Sequence, residues 1–127
     1  MLVDRELSEQ WNLRKVCGEF NIPIIDDVSL REFMSLIAQC EKSICMDSSP
    51  LHFSVALGLK TYCLFGPGCV GDWHPYDKKH HKVFRLDVDC RLEGPRDQEQ
   101  FQYCTVSSCD HMSCMKHSAR EITDSLV

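Results

Sequence analysis

The chain has 127 residues, of which 43% are apolar and 26% charged; 14 Lys and Arg face 19 Asp and Glu, for a formal charge of −5. This length fits one ordinary domain with room for a hydrophobic core, and the composition excludes a disordered or fibrous chain. The acidic surplus argues against a general nucleic-acid binder, which needs cationic side chains to neutralise phosphates. No run approaches the ~20 apolar residues of a membrane-spanning helix. The charged start Asp4-Arg5-Glu6 leaves no apolar core for a signal peptide.

Nine cysteines are an odd number, so a complete disulfide framework would leave one thiol over. With no export signal, the expectation is a reduced, cytoplasmic chain whose thiols serve mostly as small buried apolar groups.

Apolar periodicity predicts the elements in order. Residues 5–17 read as a helix, since Leu13, Val16, Cys17 and Phe20 recur at i, i+3, i+4 and i+7, with Gly18 as the expected stop. Ile22-Pro23-Ile24-Ile25 reads as a short buried strand with Pro23 near its start. Ser29-Leu30-Arg31-Glu32 is a capping box that opens a helix ending near Cys40. Ser43–Met46 is the second strand, 50–57 a short helix stopped by Gly58, Thr61–Phe65 the third strand, and Lys82–Leu86 a weaker fourth. Ser118-Ala119-Arg120-Glu121 repeats the capping pattern ahead of a terminal helix, 118–127. Helices alternating with short, nearly all-apolar strands predict an α/β fold, a Rossmann-like parallel sheet covered on both faces. Two irregular stretches remain, 66–81 and 87–117, and loops of that length inside a domain are usually functional.

Met46-Asp47-Ser48-Ser49-Pro50-Leu51-His52 carries the most chemistry. An apolar strand stops at Asp47, Ser48 and Ser49 are good N-caps, and Pro50 suits the first turn, where its missing N–H costs nothing. A helix N-terminus thus follows the carboxyl end of a parallel strand, the edge where open α/β sheets bind ligands. Its unpaired amides and dipole favour a phosphate or diphosphate; an ordinary capped helix without a ligand is the alternative. Phe65-Gly66-Pro67-Gly68 ends the next strand, and Gly66 permits either a sharp turn or a close approach to a ligand. Trp73 and His74 suit a sugar pocket or simple loop packing, and Lys78-Lys79-His80-His81 reads as a solvated loop.

Cys90, Cys104, Cys109, His111 and Cys114 crowd the second irregular stretch. Reduced packing thiols, a disulfide and a tetrahedral zinc site are all open, although the spacing lacks the tight CxxC pairs of zinc ribbons. Cys90, Cys104, Cys109 and Cys114 are therefore weak metal candidates, and no metal or other cofactor is expected.

Taken together, Ser29-Leu30, the segment Asp47 to His52, Ala56-Leu57-Gly58, Leu64-Phe65-Gly66-Pro67, Pro75, and His111-Met112-Ser113-Cys114-Met115 resemble glycosyltransferase family 9, the heptosyltransferases of lipopolysaccharide synthesis. The likeness runs from about Leu30 to the end. It implies the C-terminal half of a GT-B fold, with 1–127 as a single nucleotide-sugar-binding domain whose donor is ADP-heptose or a similar nucleotide sugar. By the resemblance, amides at Ser48 and Ser49 hold the diphosphate, Asp47 contacts the donor sugar, and His52 supports the loop or approaches the phosphates. Val28 packs against adenine, and Glu6 or Glu9 stands where the family often has a ribose-binding carboxylate. The family usually has Gly where Ser49 stands. The catalytic base and the lipopolysaccharide core acceptor belong to an N-terminal domain expected to be missing, so no catalytic residue is assigned to this chain, and activity from it alone is not expected. The resemblance also allows a peripheral place at the inner membrane, and the missing domain contacts suggest self-association. The alternative is a small cysteine-rich metal-binding or interaction module.

Overall fold

The computed structural model of the protein describes residues 1–74, 76–90, 103, 104 and 109–127. Pro75 and much of the 87–117 stretch lie outside the described residues. The chain divides into two compact units, Met1–Gln39 and Cys40–Val127.

The first unit is helical. Asp4 caps α1 (Arg5–Gln10), its carboxylate accepting from the amides of Glu6 and Leu7. The helix expected over 5–17 is broken in two, because Asn12 takes a left-handed conformation at φ 49° between α1 and α2 (Leu13–Glu19). Asn tolerates that region because its short polar side chain bonds locally. Of the proposed apolar face, Cys17 is buried, while Val16 and Phe20 are exposed. The strand expected at 22–25 reduces to one parallel bridge between Leu2 and Ile25, beside which the Met1 amino group donates to the Pro23 carbonyl. Arg14 forms an ion pair with the buried carboxylate of Asp26. The capping box at α3 (Leu30–Ile37) is fully formed: the Glu32 amide donates to Ser29 Oγ, and the Ser29 amide donates to Glu32 Oε2 at 2.8 Å. Hydrogen bonds from the Ser29 side chain and then its backbone hold the Glu32 carboxyl below the usual range.

The second unit carries the sheet. β1 (Lys42–Met46), β2 (Lys60–Phe65) and β3 (Lys82–Arg85) are parallel in the order β1-β2-β3. Cys45 stands opposite Cys63, and Leu64 opposite Phe84. α4 (Ser49–Ala56) forms the crossover from β1 to β2, and Gly58, at φ 79°, makes the left-handed stop that a Cβ would oppose. The core is Cys45, Leu51, Cys63, Phe65 and Val70, with Val55, Tyr76 and Val83 packed against it. Central strand β2 is buried along most of its length. β1 departs from the expected two-sided burial: Ile44 and Met46 are 53% and 50% exposed. The stretch 66–81 contains one helical turn, α5 (Val70–Trp73), with Val70 inward. Beyond β3, a 3-10 turn at Ser113–Met115 precedes α6 (Ala119–Asp124), where Ser118 Oγ accepts from the Glu121 amide. α6 is tied to the amino ends of the outer strands: Lys42 Nζ donates to the Leu126 carbonyl, and Lys82 Nζ donates to Ser125 Oγ at 2.7 Å.

No disulfide joins the nine cysteines, and Cys17, Cys45, Cys63 and Cys69 are buried. Hydrogen bonding to Cys45, followed by burial, pushes the Cys63 thiol far above the usual range. Among the described residues, no helix is long and apolar enough to cross a membrane.

Candidate functional site

The chain leaves β1 at Met46 and enters α4 at Ser49, so Asp47 and Ser48 form the whole strand-to-helix turn. Ser48 occupies the N-cap with an extended backbone, but its side chain does not cap; the hydroxyl turns back and donates to the Met46 carbonyl at 3.4 Å. The capping expected of this serine is therefore not made, and Pro50 brings no N–H of its own. The Leu51 amide donates to the Ser48 carbonyl at 3.0 Å. Ser48 and Ser49 are exposed at the helix start, whereas Leu51, one residue beyond Pro50, is fully buried and anchors the turn to the core.

Asp47 is half-buried, and burial raises its carboxyl above the usual range while the charge of His52 draws it partly back. A Cβ built on Gly68 would collide with Asp47 Oδ2, so the carboxylate lies directly over the glycine that follows β2. Two successive strand ends thus meet at Asp47, as Gly at position 68 allows. The space beside Gly66 is filled by the Met115 thioether. His117 Nε2 donates to the Phe65 carbonyl at 3.0 Å, and the Cys104 amide donates to the Pro67 carbonyl at 2.8 Å. The closing segment therefore straps the Phe65-Gly66-Pro67 turn.

His52 Nδ1 lies 2.6 Å from the Tyr76 hydroxyl. Tyr76 in turn meets the ring of His74 edge-on at 5.3 Å between centroids and that of His81 at 5.8 Å. His81, expected in a solvated loop, is buried and shares a hydrogen bond of 3.0 Å with Thr61 Oγ1. His74 is 3% exposed, with both ring nitrogens lacking a hydrogen-bond partner among the described residues, while neighbouring Trp73 is exposed. Burial, first, and then the nearby His81, Lys78 and His52 side chains keep the His74 imidazole below the usual range, and burial does the same for His81. Sequence spacing did not expose this cluster, because His52 and Tyr76 stand 24 positions apart and Tyr76 belongs to no local motif. Its one sequence signal is an aromatic residue inside a long irregular stretch.

Val28 and Glu6 belong to the first unit. Val28 is half-buried just ahead of the capping Ser29, and Glu6 is exposed in the first turn of α1. In the closing segment, Cys109 Sγ lies 3.4 Å from His111 Nδ1. Burial raises the Cys114 thiol, and Cys90, Cys104 and Cys109 add to that shift. No group of three or more His, Cys, Asp or Glu side chains among the described residues is arranged to hold a metal ion.

A parallel sheet with a crossover helix starting at the carboxyl end of β1 defines an α/β protein of Rossmann-like type. Residues 4–100 match the family model for glycosyltransferase family 9 (heptosyltransferase), and the chain belongs to that family. The matched range includes the helical first unit, which the motif likeness starting near Leu30 did not. Two curated relatives are named lipooligosaccharide heptosyltransferase 2, from Campylobacter jejuni serotypes O:6 and O:2. Each is 26% identical over 118 residues, covering 89% of this chain and 33% of the relative. The chain thus spans about a third of the length of these relatives. No solved structure matches it.

Proposed function

We propose that this chain is the nucleotide-sugar-binding part of a heptosyltransferase and takes ADP-heptose or a closely similar donor at the amino end of α4. The supporting observation is the Asp47-to-His52 turn: a helix start without a side-chain cap, at the carboxyl end of a parallel strand, in a chain of glycosyltransferase family 9. In this reading the exposed amides at Ser48 and Ser49 receive the diphosphate, helped by the helix dipole. Asp47 accepts hydrogen bonds from sugar hydroxyls, and His52 donates to a phosphate oxygen. Gly66 shapes the turn behind them. Val28 and Glu6 are carried as adenine and ribose contacts by the resemblance alone, with no geometry attached.

The chemistry asks for such a site. Negative charge grows on the departing nucleoside diphosphate as an acceptor hydroxyl attacks the anomeric carbon. Amides already aimed at that charge stabilise the transition state without reorganising. The acceptor, a lipopolysaccharide core, and the base that deprotonates it belong in this proposal to a partner domain, and the location is the cytoplasm at the inner face of the membrane. The test is a titration of the chain with ADP and ADP-sugars by calorimetry and NMR. Binding that shifts the amides of Asp47 to His52 supports the reading, and silence of those amides at millimolar ligand refutes it.

A further inference from the structure

We infer that Tyr76 is the positioning residue for His52, fixing by one hydrogen bond which of the two imidazole nitrogens carries the ring proton. The inference rests on the donor-binding reading for its purpose but not for its geometry. The Tyr76 hydroxyl and His52 Nδ1 are 2.6 Å apart. A phenol has one proton to give, and the lone pair of a neutral imidazole nitrogen is the better acceptor of the two groups. If the bond ran the other way, with Nδ1–H donating, the phenolic proton would need a second acceptor, and the described residues provide none. The hydroxyl therefore donates to Nδ1, which leaves the single ring proton of neutral His52 on Nε2. That nitrogen faces outward from the Tyr76 contact as a donor, with the Asp47 carboxylate as the charged group that interacts with the same ring.

The arrangement suits an anion site. A neutral imidazole in the opposite tautomer would present a lone pair from Nε2 and repel a phosphate oxygen. Tyr76 itself is held by ring contacts with the buried His74 and His81, and His81 is fixed by Thr61 on β2. A rigid chain thus runs from the central strand through His81 and Tyr76 to His52, and it sets a ring angle that helix α4 alone would leave to rotamer choice. Orientation of a donor through its other ring nitrogen is a general use of the two distinct imidazole nitrogens.

The experiment compares the full chain with its Tyr76→Phe variant, which keeps the ring packing and deletes the hydroxyl. Long-range proton–nitrogen spectra of uniformly labelled protein are recorded at about pH 8.5, well above the ordinary His range, and His52→Gln identifies the resonances. In the parent, His52 is expected in the Nε2–H form; in Tyr76→Phe it should relax toward a mixture. ADP affinity should fall about two- to threefold in Tyr76→Phe, because the Nε2–H donor is loosened rather than lost, with no further loss when Tyr76→Phe is added to His52→Gln. An identical tautomer in parent and variant, or an Nδ1–H parent, overturns the inference. If the tautomer shifts as expected but the parent binds no ADP, the donor-binding reading fails while the placement of His52 by Tyr76 stands.

Discussion

Gly68→Ala separates what Asp47 does for the fold from what it does for a ligand. The added Cβ would overlap Asp47 Oδ2, yet it would stand 3.5 Å from Asp47 Cγ and 3.8 Å from Phe65 Cδ1, both ordinary contact distances. One carboxylate oxygen must move, and rotation about the Asp47 side chain suffices. Pushing a side chain off its rotamer costs about 0.5–1.5 kcal/mol. Gly68 is not among the positive-φ glycines, so Ala is unstrained there and regains about 0.4–1 kcal/mol by restricting the unfolded chain. The two effects nearly cancel, and Tm should stay within about 4 °C of the parent. Donor recognition should not stay put. Hydrogen bonds to a charged group contribute about 1.5–3 kcal/mol, so an ADP-sugar held through Asp47 should lose roughly ten- to hundredfold in affinity. ADP, which lacks the transferred sugar, should change little. Calorimetric titration of both ligands gives the comparison, and carbon-detected pH titration of Asp47 gives an internal check. Burial raises that carboxyl in the parent, so displacement toward solvent should bring it back toward the usual range. Equal losses for ADP and ADP-sugar would refute the sugar role of Asp47, and an Asp47 titration that does not move would refute the steric argument.

Two further outcomes follow from burial. His74 resists protonation because it is buried, while the unfolded chain accepts the proton near pH ~6.5. Stability linked to His74 is therefore complete above about pH 6.5 and declines as pH falls toward the lower folded value; His81 acts in the same direction. Thermal melts between about pH 7.5 and 5 should show a shallower acid slope for His74→Phe than for the parent, and parallel slopes would defeat this assignment. Leu51 is fully buried in the sheet-side core, and Leu51→Ala should cost about 2–5 kcal/mol in urea denaturation. A loss under about 1 kcal/mol would mean that the cavity collapses and that α4 is not anchored through this side chain.

The sequence was most legible where structure is set by neighbours along the chain. The alternating pattern located β1 and β2 to within a residue, and the Ser29–Glu32 capping box and the Gly58 stop formed as expected, because each depends on residues within one turn. Expectations failed where distant contacts or backbone options decide. Nothing in the apolar periodicity across 5–17 marks Asn12 as left-handed, and Ile22–Ile25 looks like a strand until a pairing partner is required. At the candidate site, the turn from Asp47 to His52 was readable from strand, cap and proline signals. That the Ser48 hydroxyl would face Met46 was not, since a serine at a helix start can bond in either direction. The ring cluster around Tyr76 joins α4, β2 and the 66–81 stretch through space, and no periodicity records such a meeting.

Gly66 and Met115 occupy a single volume between them, although 49 positions separate them along the chain. A methyl group gained at position 66 would meet the Met115 sulfur first, so the flexible Met115 side chain must turn aside to admit it. Grafting a different closing segment onto this sheet would change what lies against the glycine that ends β2.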